Sequence, residues 1–360
     1  MAAGSESSIR LQAVTKRFGE VVAVDGLDLA MEGGELIALL GPSGCGKTTT
    51  LRMMAGFETP TSGRILFGGR DVTTLAPEKR NSGMVFQDYA LFPHLTVREN
   101  VAFGLEMRGV RRPDRERRVG DILARVGLAA MAHRYPRQVS GGQQQRTALA
   151  RALVTNPSVL LLDEPLANLD ANLREEMRFY IRSLQREFRI TTVYVTHDQA
   201  EALVLADRVA VLIDGVLEQV GPPEELYRRP RTSRVASFVG IANLLPGTVR
   251  TGPGWVGVET GAGVLRAAGG AGLAGGEPAL LMVRPESLRL GPAGEGGDAA
   301  TNALSGRVVE RSFLGSLADY RVDVGAPTAL RVQAAPSVTI GAHEEVGVRF
   351  DASDAWIVPA

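Results

Sequence analysis

A glycine-rich segment, "GPSGCGKTTT" at positions 41–50, constrains this chain more than any other feature. It follows "ELIALL" (35–40), an apolar run typical of a buried strand, and it leads into a predicted helix that ends at Gly56. Glycines let consecutive backbone N–H groups turn toward an anion, and a helix N-terminus adds partial positive charge. The segment matches the phosphate-binding pattern G-x-x-x-x-G-K-[ST] at Gly41, Gly46, Lys47 and Thr48. Without the flanking strand and helix, it would predict only a glycine turn with an exposed lysine.

Two adjacent carboxylates end a second apolar run, "VLLLDEP" (159–165). Asp163 stands where a carboxylate would hold Mg²⁺ through water, and Glu164 stands where one would polarise an attacking water, as phosphoryl transfer requires. Two acidic residues at a strand end are common in α/β proteins and would indicate little alone. Beside a phosphate-binding loop, they indicate nucleotide hydrolysis.

A third segment, "VSGGQQQR" (139–146), predicts another helix N-terminus with exposed backbone N–H groups. Ser140 is a good helix cap, and taken alone the segment predicts nothing more than a cap. A single nucleotide needs a single phosphate cradle, so a second anion-binding helix end calls for an explanation.

The order of strands and helices predicts an α/β fold with a parallel or mixed sheet covered on both faces. Residues 94–156 are expected to be mostly helical, with a charged loop "RGVRRPDRERR" in the middle, and a long amphipathic helix follows Asp163. Near residue 240 the composition changes. The last 120 residues lack lysine and consist of short alternating runs, which predict a small antiparallel barrel or sandwich.

Charge and cysteine content exclude several classes of protein. The chain has 40 basic and 40 acidic residues, so it has no basic surplus of the kind that nucleic-acid binders carry, and no nucleic-acid partner is expected. Its one cysteine, Cys45, permits no intrachain disulfide. The N-terminus does not resemble a secretion signal, and no run of about 18 apolar residues predicts a membrane span.

Together these segments resemble the nucleotide-binding subunit of an ABC transporter, over about residues 8–240. The resemblance adds Gln87 in "MVFQDYALFPH", the D-loop "ANLD" (167–170), His197 in "VTHDQAEA" and the aromatic Phe18. It implies a P-loop NTPase (RecA-like) core with a helical subdomain. No guanine-reading N-K-x-D segment, second cassette or long coiled-coil insertion supports a switch GTPase or a soluble non-transport ABC ATPase.

The resemblance also assigns roles to individual residues. It implies ATP and Mg²⁺ as ligands, and two copies facing each other so that each signature segment (139–143) grips the ATP of the partner. The implied catalytic residues are Glu164, His197 and Gln87, and the metal-binding residues are Thr48, Gln87 and Asp163. The residues implied to bind nucleotide are Phe18, Gly41, Pro42, Ser43, Gly44, Cys45, Gly46, Lys47, Thr48 and Thr49. Those implied to act across the dimer are Ser140, Gly141, Gly142 and Gln143, with Asp170 in the D-loop.

The last third resembles the OB-like (TOBE) regulatory domain of the maltose, polyamine and ferric-iron importer ATPases, in "FVGIANLLPG" (238–247), "VRPESLRL" and "SFLGSLADYRV". This implies an ATPase domain over 1–238, with its helical subdomain at about 90–156, and a β-rich domain over 239–360. It further implies a cytoplasmic subunit that is peripheral on the membrane through permease subunits, and indirectly an extracytoplasmic solute-binding protein. A polyamine-like or other small charged solute is favoured, with sugar and ferric iron as alternatives.

Three positions depart from the family pattern: Phe18 for tyrosine, Val139 for leucine, and Ala167 for the serine that often begins the D-loop. None removes a charge needed for hydrolysis. The sequence leaves two interpretations of Cys45: a thiol near Lys47 and a helix N-terminus whose surroundings favour the thiolate form, or an inert small residue. Tyr89 and Phe92 are candidates either for an exposed permease-contact groove or for the core.

Overall fold

The computed structural model describes residues 7–294 and 300–360. These residues form two compact units, Met1–Pro223 and Glu224–Ala360. None of the helices within the described residues has the length and apolar character that crossing a bilayer requires. In chain order, the elements of the first unit are β1 (Ile9–Phe18), β2 (Val21–Met31), β3 (Leu36–Leu40), α1 (Lys47–Ala55), β4 (Ser62–Phe67), β5 (Arg70–Asp71), β6 (Ser82–Val85), α2 (Val97–Met107), α3 (Arg112–Arg125), α4 (Gly141–Leu153), β7 (Val159–Asp163), α5 (Ala171–Phe188), β8 (Thr191–Thr196), α6 (Gln199–Leu205), β9 (Arg208–Ile213) and β10 (Val216–Gly221).

A six-stranded sheet in the order β10-β9-β3-β8-β7-β6 forms the centre of this unit. Its strands are parallel except for β10, which pairs antiparallel with β9. Strands β3, β7 and β8 are buried along their whole length. Because β3, β8 and β7 are neighbours and parallel, the loops that follow them meet at one edge of the sheet. Those loops carry the glycine segment, His197 and the Asp163–Glu164 pair.

The two faces of the central sheet are covered by different layers. On β7, Leu160 and Leu162 join the core that includes residues of α2–α5, whereas Val159 and Leu161 join the core under α1 and a second sheet. This alternation follows from the opposite directions of successive side chains in a strand. The second sheet is antiparallel, in the order β2-β1-β4-β5. The predicted α/β fold with both faces covered is confirmed.

The helical segment differs in one place from the sequence prediction. The charged stretch 108–118, expected to be a loop, is helical from Arg112 onward, where α3 begins with Pro113 in its first turn. Proline is favoured at that position, and Val119, Ile122 and Leu123 give the helix a buried face. The charges in the stretch lie on the solvent-facing side of α3, so they do not interrupt the helix.

The second unit is all-β apart from two short helices. Its elements are α7 (Pro223–Arg228), α8 (Ser233–Phe238), β11 (Asn243–Gly252), β12 (Trp255–Thr260), β13 (Gly263–Ala267), β14 (Pro278–Val283), β15 (Arg289–Gly291), β16 (Thr301–Phe313), β17 (Ala318–Asp323), β18 (Leu330–Ala334), β19 (Glu345–Asp351) and β20 (Ala355–Pro359). Two five-stranded antiparallel sheets, β13-β12-β11-β14-β20 and β15-β19-β16-β17-β18, share one core. The predicted all-β domain is confirmed.

Buried Arg284 explains why α7 and α8 group with these strands. Its guanidinium donates hydrogen bonds to the carbonyl oxygens of Tyr227, Ala236 and Ile241, at 2.7–3.1 Å. The sequence boundary between residues 238 and 239 falls at the end of α8, whereas the compact units divide between 223 and 224. The end of the ATPase domain at residue 238 stays a prediction from the sequence.

Candidate nucleotide site

The glycine loop (41–48) requires its glycines because other backbone segments lie against it. A Cβ at Gly41 would lie 2.1 Å from the Leu212 carbonyl oxygen, and one at Gly46 would lie 2.4 Å from the Ala23 carbonyl oxygen. Gly46 has φ +97°, a conformation that L-residues with side chains rarely adopt. Between these fixed ends, residues 42–44 are exposed, so the rim of the loop is open to solvent.

Lys47 begins α1 and lies inside the loop. Its Nζ donates hydrogen bonds to the carbonyl oxygens of Gly41 at 2.7 Å and Pro42 at 2.8 Å, and it lies 3.8 Å from Cys45 Sγ. The side chain is only 5% exposed. Because Gly46 provides no side-chain cap, the first turn of α1 keeps its backbone donors free of side-chain competition. The loop therefore combines a held cation with a helix end suited to phosphate.

Thr48 and Asp163 connect the loop to the end of β7. The Thr48 hydroxyl donates to Asp163 Oδ1 at 3.1 Å. Burial raises the pKa of the Asp163 carboxyl, and the bond from Thr48 acts in the opposite direction. A hydroxyl and a carboxylate are the hard oxygen donors that Mg²⁺ prefers. No cluster of three or more acidic, His or Cys side chains suited to a metal occurs in the described residues, which fits an ion completed by water and substrate phosphates.

Glu164 and His197, two of the predicted catalytic residues, are in contact. His197 Nδ1 lies 3.2 Å from Glu164 Oε1. Glu164 has φ +43°, an uncommon conformation for a non-glycine residue, and its N–H donates to the Val195 carbonyl at 3.1 Å. Strain of this kind occurs often at functional sites. The backbone thus turns sharply after β7, and the loops after β7 and β8 bring a carboxylate and an imidazole together.

The D-loop (167–170) contacts the loop that carries Gln87. Asn168 Nδ2 donates to the Gln87 carbonyl oxygen at 2.8 Å, and Arg174 Nη2 donates to the Leu169 carbonyl at 2.9 Å. No role was predicted for Asn168 or Arg174. Asn168 lies inside the "ANLD" motif, so the motif could have indicated a role for it. No sequence pattern indicates the bond from Arg174 back to the loop before α5. Asp170 caps α5 by accepting from Leu173 N at 3.0 Å.

The remaining predicted residues lie on other elements. Phe18 ends β1, its side chain is 48% exposed, and Lys16 Nζ lies 4.8 Å from the ring centroid. Ser140 caps α4 in a reciprocal box with Gln143. Gly141 and Gly142 face the side chains of Leu169 and Leu173, so the start of α4 packs against the D-loop and α5. The described contacts thus join Thr48 to Asp163 and Glu164 to His197, whereas Lys47 bonds the glycine loop itself.

Cys45 is an exception to the sequence interpretation. It is 3% exposed, and burial raises the pKa of its thiol, although the Lys47 charge acts in the opposite direction. The suggestion that its surroundings favour the thiolate is therefore wrong. Desolvation outweighs the neighbouring cation, because the thiol packs into the core below the loop.

Fold and site together define a P-loop ATPase core followed by an all-β domain. Comparisons with known proteins show the family to which this chain belongs. A family model described as ABC transporter matches residues 24–167, and one described as TOBE domain matches residues 281–358. The Fe(3+) ions import ATP-binding protein FbpC of Rhizobium etli is 46% identical over 349 residues, covering 95% of each chain. The spermidine/putrescine import ATP-binding protein PotA of Rubrobacter xylanophilus is 47% identical over 368 residues, covering 99% of this chain and 94% of that protein.

A solved structure agrees with these relatives. The ATP-binding cassette MJ0796, in a dimeric post-hydrolysis state bound to ADP and Pi, is 33% identical with a TM-score of 0.53 and covers 60% of this chain and 98% of its own. The chain belongs to the ABC transporter family, in its group of importer ATPases. It is an ATPase of that family.

Proposed function

We propose that this protein binds and hydrolyses ATP at a site completed by a second copy, and so drives uptake of a small charged solute through permease subunits. The contact between Glu164 and His197, 3.2 Å apart beside the glycine loop, is the observation that carries the proposal. The subunit would act at the cytoplasmic face of the membrane, held there by the permeases. An extracytoplasmic solute-binding protein would supply the solute.

Each residue at the sheet edge has a chemical task in this proposal. Lys47 and the N–H groups of the glycine loop bind the β- and γ-phosphates, and Phe18 stacks on adenine. Thr48 and Asp163, joined by Gln87, would hold Mg²⁺, which would supply positive charge to neutralise the phosphates. Glu164 orients the attacking water and takes its proton, and His197 contacts the γ-phosphate and Glu164.

Replacing the carboxylate at 164 tests the catalytic assignment. Glu164→Gln keeps the shape of the side chain but cannot accept a proton, so we expect steady Mg-ATP hydrolysis to fall about 10²–10⁴-fold. Equilibrium binding of ATP should remain, because the glycine loop is unchanged. Unaltered turnover in this variant would disprove the assignment of Glu164 as the general base.

The second copy is proposed from the helix end at Ser140. Ser140 is exposed, and the neighbour MJ0796 is described as dimeric. In the shared-site arrangement, Ser140 and Gly142 of one copy grip the γ-phosphate held by the other, with Gly141, Gln143 and Asp170 beside them. Ser140→Arg should abolish turnover while ATP still binds, whereas Ser183→Arg, at an exposed serine of α5, should hydrolyse normally. Normal hydrolysis by Ser140→Arg would contradict a shared site.

An apolar groove beside Gln87 is the proposed permease contact. It has a volume of about 520 Å³, and its apolar lining is Met84, Phe86, Phe92, Phe103 and Met107. The rings of Phe92 and Phe103 lie 4.5 Å apart, and Met107 is 67% exposed. Of the two aromatic candidates from the sequence, Phe92 lines this groove and Tyr89 is buried. A permease helix with an apolar face would fit such a groove.

A charge placed in the groove tests this contact. Met107→Glu should prevent assembly with the permease subunits but leave the ATPase rate of the separate subunit unchanged, because Met107 is 67% exposed. Val264→Glu, at a 50% exposed position of β13, is the matched control and should assemble normally. Co-purification with tagged permeases measures the effect. Assembly by both variants to the same extent would contradict the groove as the docking site.

The solute is proposed to be polyamine-like, with ferric iron as the alternative that the FbpC relatives support. Deleting the gene should reduce uptake of labelled spermidine, and the chain with Glu164→Gln should fail to restore it. Loss of ⁵⁹Fe uptake with normal spermidine uptake would favour the alternative.

A further inference from the structure

A buried carboxylate lies beneath the loop that carries His197. Glu201, on α6, is 4% exposed, and its Oε2 accepts hydrogen bonds from the Tyr194 hydroxyl at 2.9 Å and from Thr196 Oγ1 at 2.8 Å. Both donors lie at the end of β8 and are themselves buried. A buried carboxylate is costly unless it is hydrogen-bonded, so these two bonds fix the end of the strand to α6.

The residue after His197 is held by the same network. Asp198 N donates to Thr196 Oγ1 at 2.9 Å, and Asp198 Oδ1 accepts from Glu201 N at 3.1 Å. Arg178 Nη2 lies 3.5 Å from Asp198 Oδ2. The Thr196 hydroxyl therefore donates to Glu201 on α6 and accepts from the backbone N–H of Asp198, so its donor and its acceptor functions are both used.

His197 lies between two residues, Thr196 and Asp198, that are held by hydrogen bonds. Its side chain is 60% exposed, and its imidazole contacts Glu164 Oε1. Thr196 and Asp198 hold the backbone on both sides of His197 and so fix the position from which its imidazole reaches Glu164. Burial and the Glu201 charge also raise the pKa of Tyr194 well above its ordinary value, so this hydroxyl remains a donor throughout the working range of pH.

We propose that Glu201 and Thr196 are positioning residues, which hold the backbone of His197 so that its imidazole faces Glu164. The proposal deepens the function proposed above and rests on it for its catalytic consequence. A purely structural role for Glu201, as an anchor of α6, would leave the His197–Glu164 contact unaffected when the Thr196 hydroxyl is removed.

The first test uses a matched pair at position 196. Thr196→Val is nearly isosteric and removes the hydroxyl, whereas Thr196→Ser keeps it. We expect kcat for Mg-ATP to fall about tenfold to a hundredfold in Thr196→Val, because misplacement of a reacting group by about 1 Å costs that much. Thr196→Ser should restore most of the rate. The equilibrium Kd for ATP should be the same in all three proteins, and a wild-type kcat in Thr196→Val would overturn the proposal.

The second test combines Thr196→Val with His197→Ala. If Thr196 acts through His197, the valine substitution costs nothing further once the imidazole is absent. An equal loss in both backgrounds would show that Thr196 acts by another route and would overturn the proposal.

The third test is independent of hydrolysis, so it separates failure of this proposal from failure of the proposed function. The chain has four histidines, and ¹³C-labelled histidine gives few ring signals, which His197→Ala assigns. We expect Thr196→Val and Glu201→Leu to shift the His197 ring signal and leave the other three in place, with Thr196→Ser unchanged. Glu201→Gln keeps an oxygen acceptor and should leave the His197 signal in place, and Thr196→Val alone tests the proposal if Glu201→Leu does not fold. An unmoved His197 signal in Thr196→Val would overturn the proposal even if the protein has no ATPase activity.

Discussion

The N-termini of α1 and α4 both follow glycine- and serine-containing segments, yet they are built differently. Helix α1 begins after Gly46 in a left-handed conformation, without a side-chain cap, and Lys47 lies inside the preceding loop. Helix α4 begins after Ser140, whose hydroxyl accepts from Gln143 N at 3.4 Å while Gln143 Oε1 accepts from Ser140 N at 3.0 Å.

The difference fits our proposal that the start of α1 is a phosphate site within one chain, whereas the start of α4 acts only with a second chain. At α1, no side chain competes with an anion for the backbone donors, and a buried cation is already there. At α4, the capping box satisfies the N–H groups of Ser140 and Gln143 within the chain, so these two donors need no phosphate. A phosphate brought by another molecule would compete with a long and weak cap bond. Substitutions at the two helix ends should therefore have different consequences.

The largest effect is expected for the cation at α1. Lys47→Ala should reduce both ATP affinity and hydrolysis, the latter by about 10³-fold, because a preorganised charge at the transferred phosphate is lost. Equilibrium binding and steady-state turnover measure the two losses.

The chain offers a matched control, since its only other lysines are Lys16 and Lys79. Lys79 is exposed in the turn at 77–79, and Lys79→Ala should bind and hydrolyse ATP normally. Similar losses in both variants would mean that α1 has no special role.

The glycines at the two helix ends give the next effect. Gly46→Ala places a Cβ 2.4 Å from a backbone oxygen at φ +97°, whereas Gly142→Ala places one 3.0 Å from Leu173 Cδ1, the end of a flexible side chain. Backbone strain of about 1–3 kcal/mol would weaken ATP binding by Gly46→Ala by a factor of about 5 to 140. Gly142→Ala should bind ATP like the wild type in isothermal titration. The reverse order of affinities would contradict the comparison.

These two helix ends also show what the sequence could predict and what it could not. The start of α1 was predictable, because a buried strand, a glycine pattern and a helix are all local features, and Gly56 ends the helix at φ +88° as expected. The cap at Ser140 was predictable for the same reason. The loop predicted over 108–118 is wrong from Arg112 onward, because the buried face of α3 depends on tertiary packing, which outweighs the charge of the stretch.

Local sequence patterns could not predict the contacts that join distant segments of the chain. The Asn168–Gln87 bond joins residues 81 positions apart, and the Thr48–Asp163 bond joins residues 115 apart. Cys45 was interpreted wrongly because its charge environment is local but its burial is set by the packed core. The network at Glu201 lies within eight residues of sequence, yet only the structure shows that its carboxylate is buried.

A smaller effect is expected for the reactivity of Cys45, which tests whether the packing of the chain itself holds the loop before α1. Since burial raises the pKa of its thiol above the ordinary value of 9.0, the thiolate is scarce at pH 8 and increases only as the pH passes the raised value. We expect iodoacetamide to label the folded protein about tenfold or more slowly than the unfolded chain, with a rate that still rises above pH 9. Rapid labelling at pH 7 that levels off below pH 8 would indicate a stabilised thiolate.

The smallest effect is expected at the capped end, where Ser140→Ala has a close match elsewhere in the chain. Thr96 caps α2 in the same reciprocal box with Glu99, accepting from Glu99 N at 3.3 Å. Loss of either cap should cost about 1 kcal/mol of stability, seen as a shift of about 2–4 °C in thermal unfolding. If the start of α4 also grips the phosphate held by a second copy, Ser140→Ala should in addition lower turnover, while Thr96→Ala should not. Equal stability losses with equal turnover would leave Ser140 as a cap alone, and α4 would then differ from α1 by having no part in nucleotide chemistry.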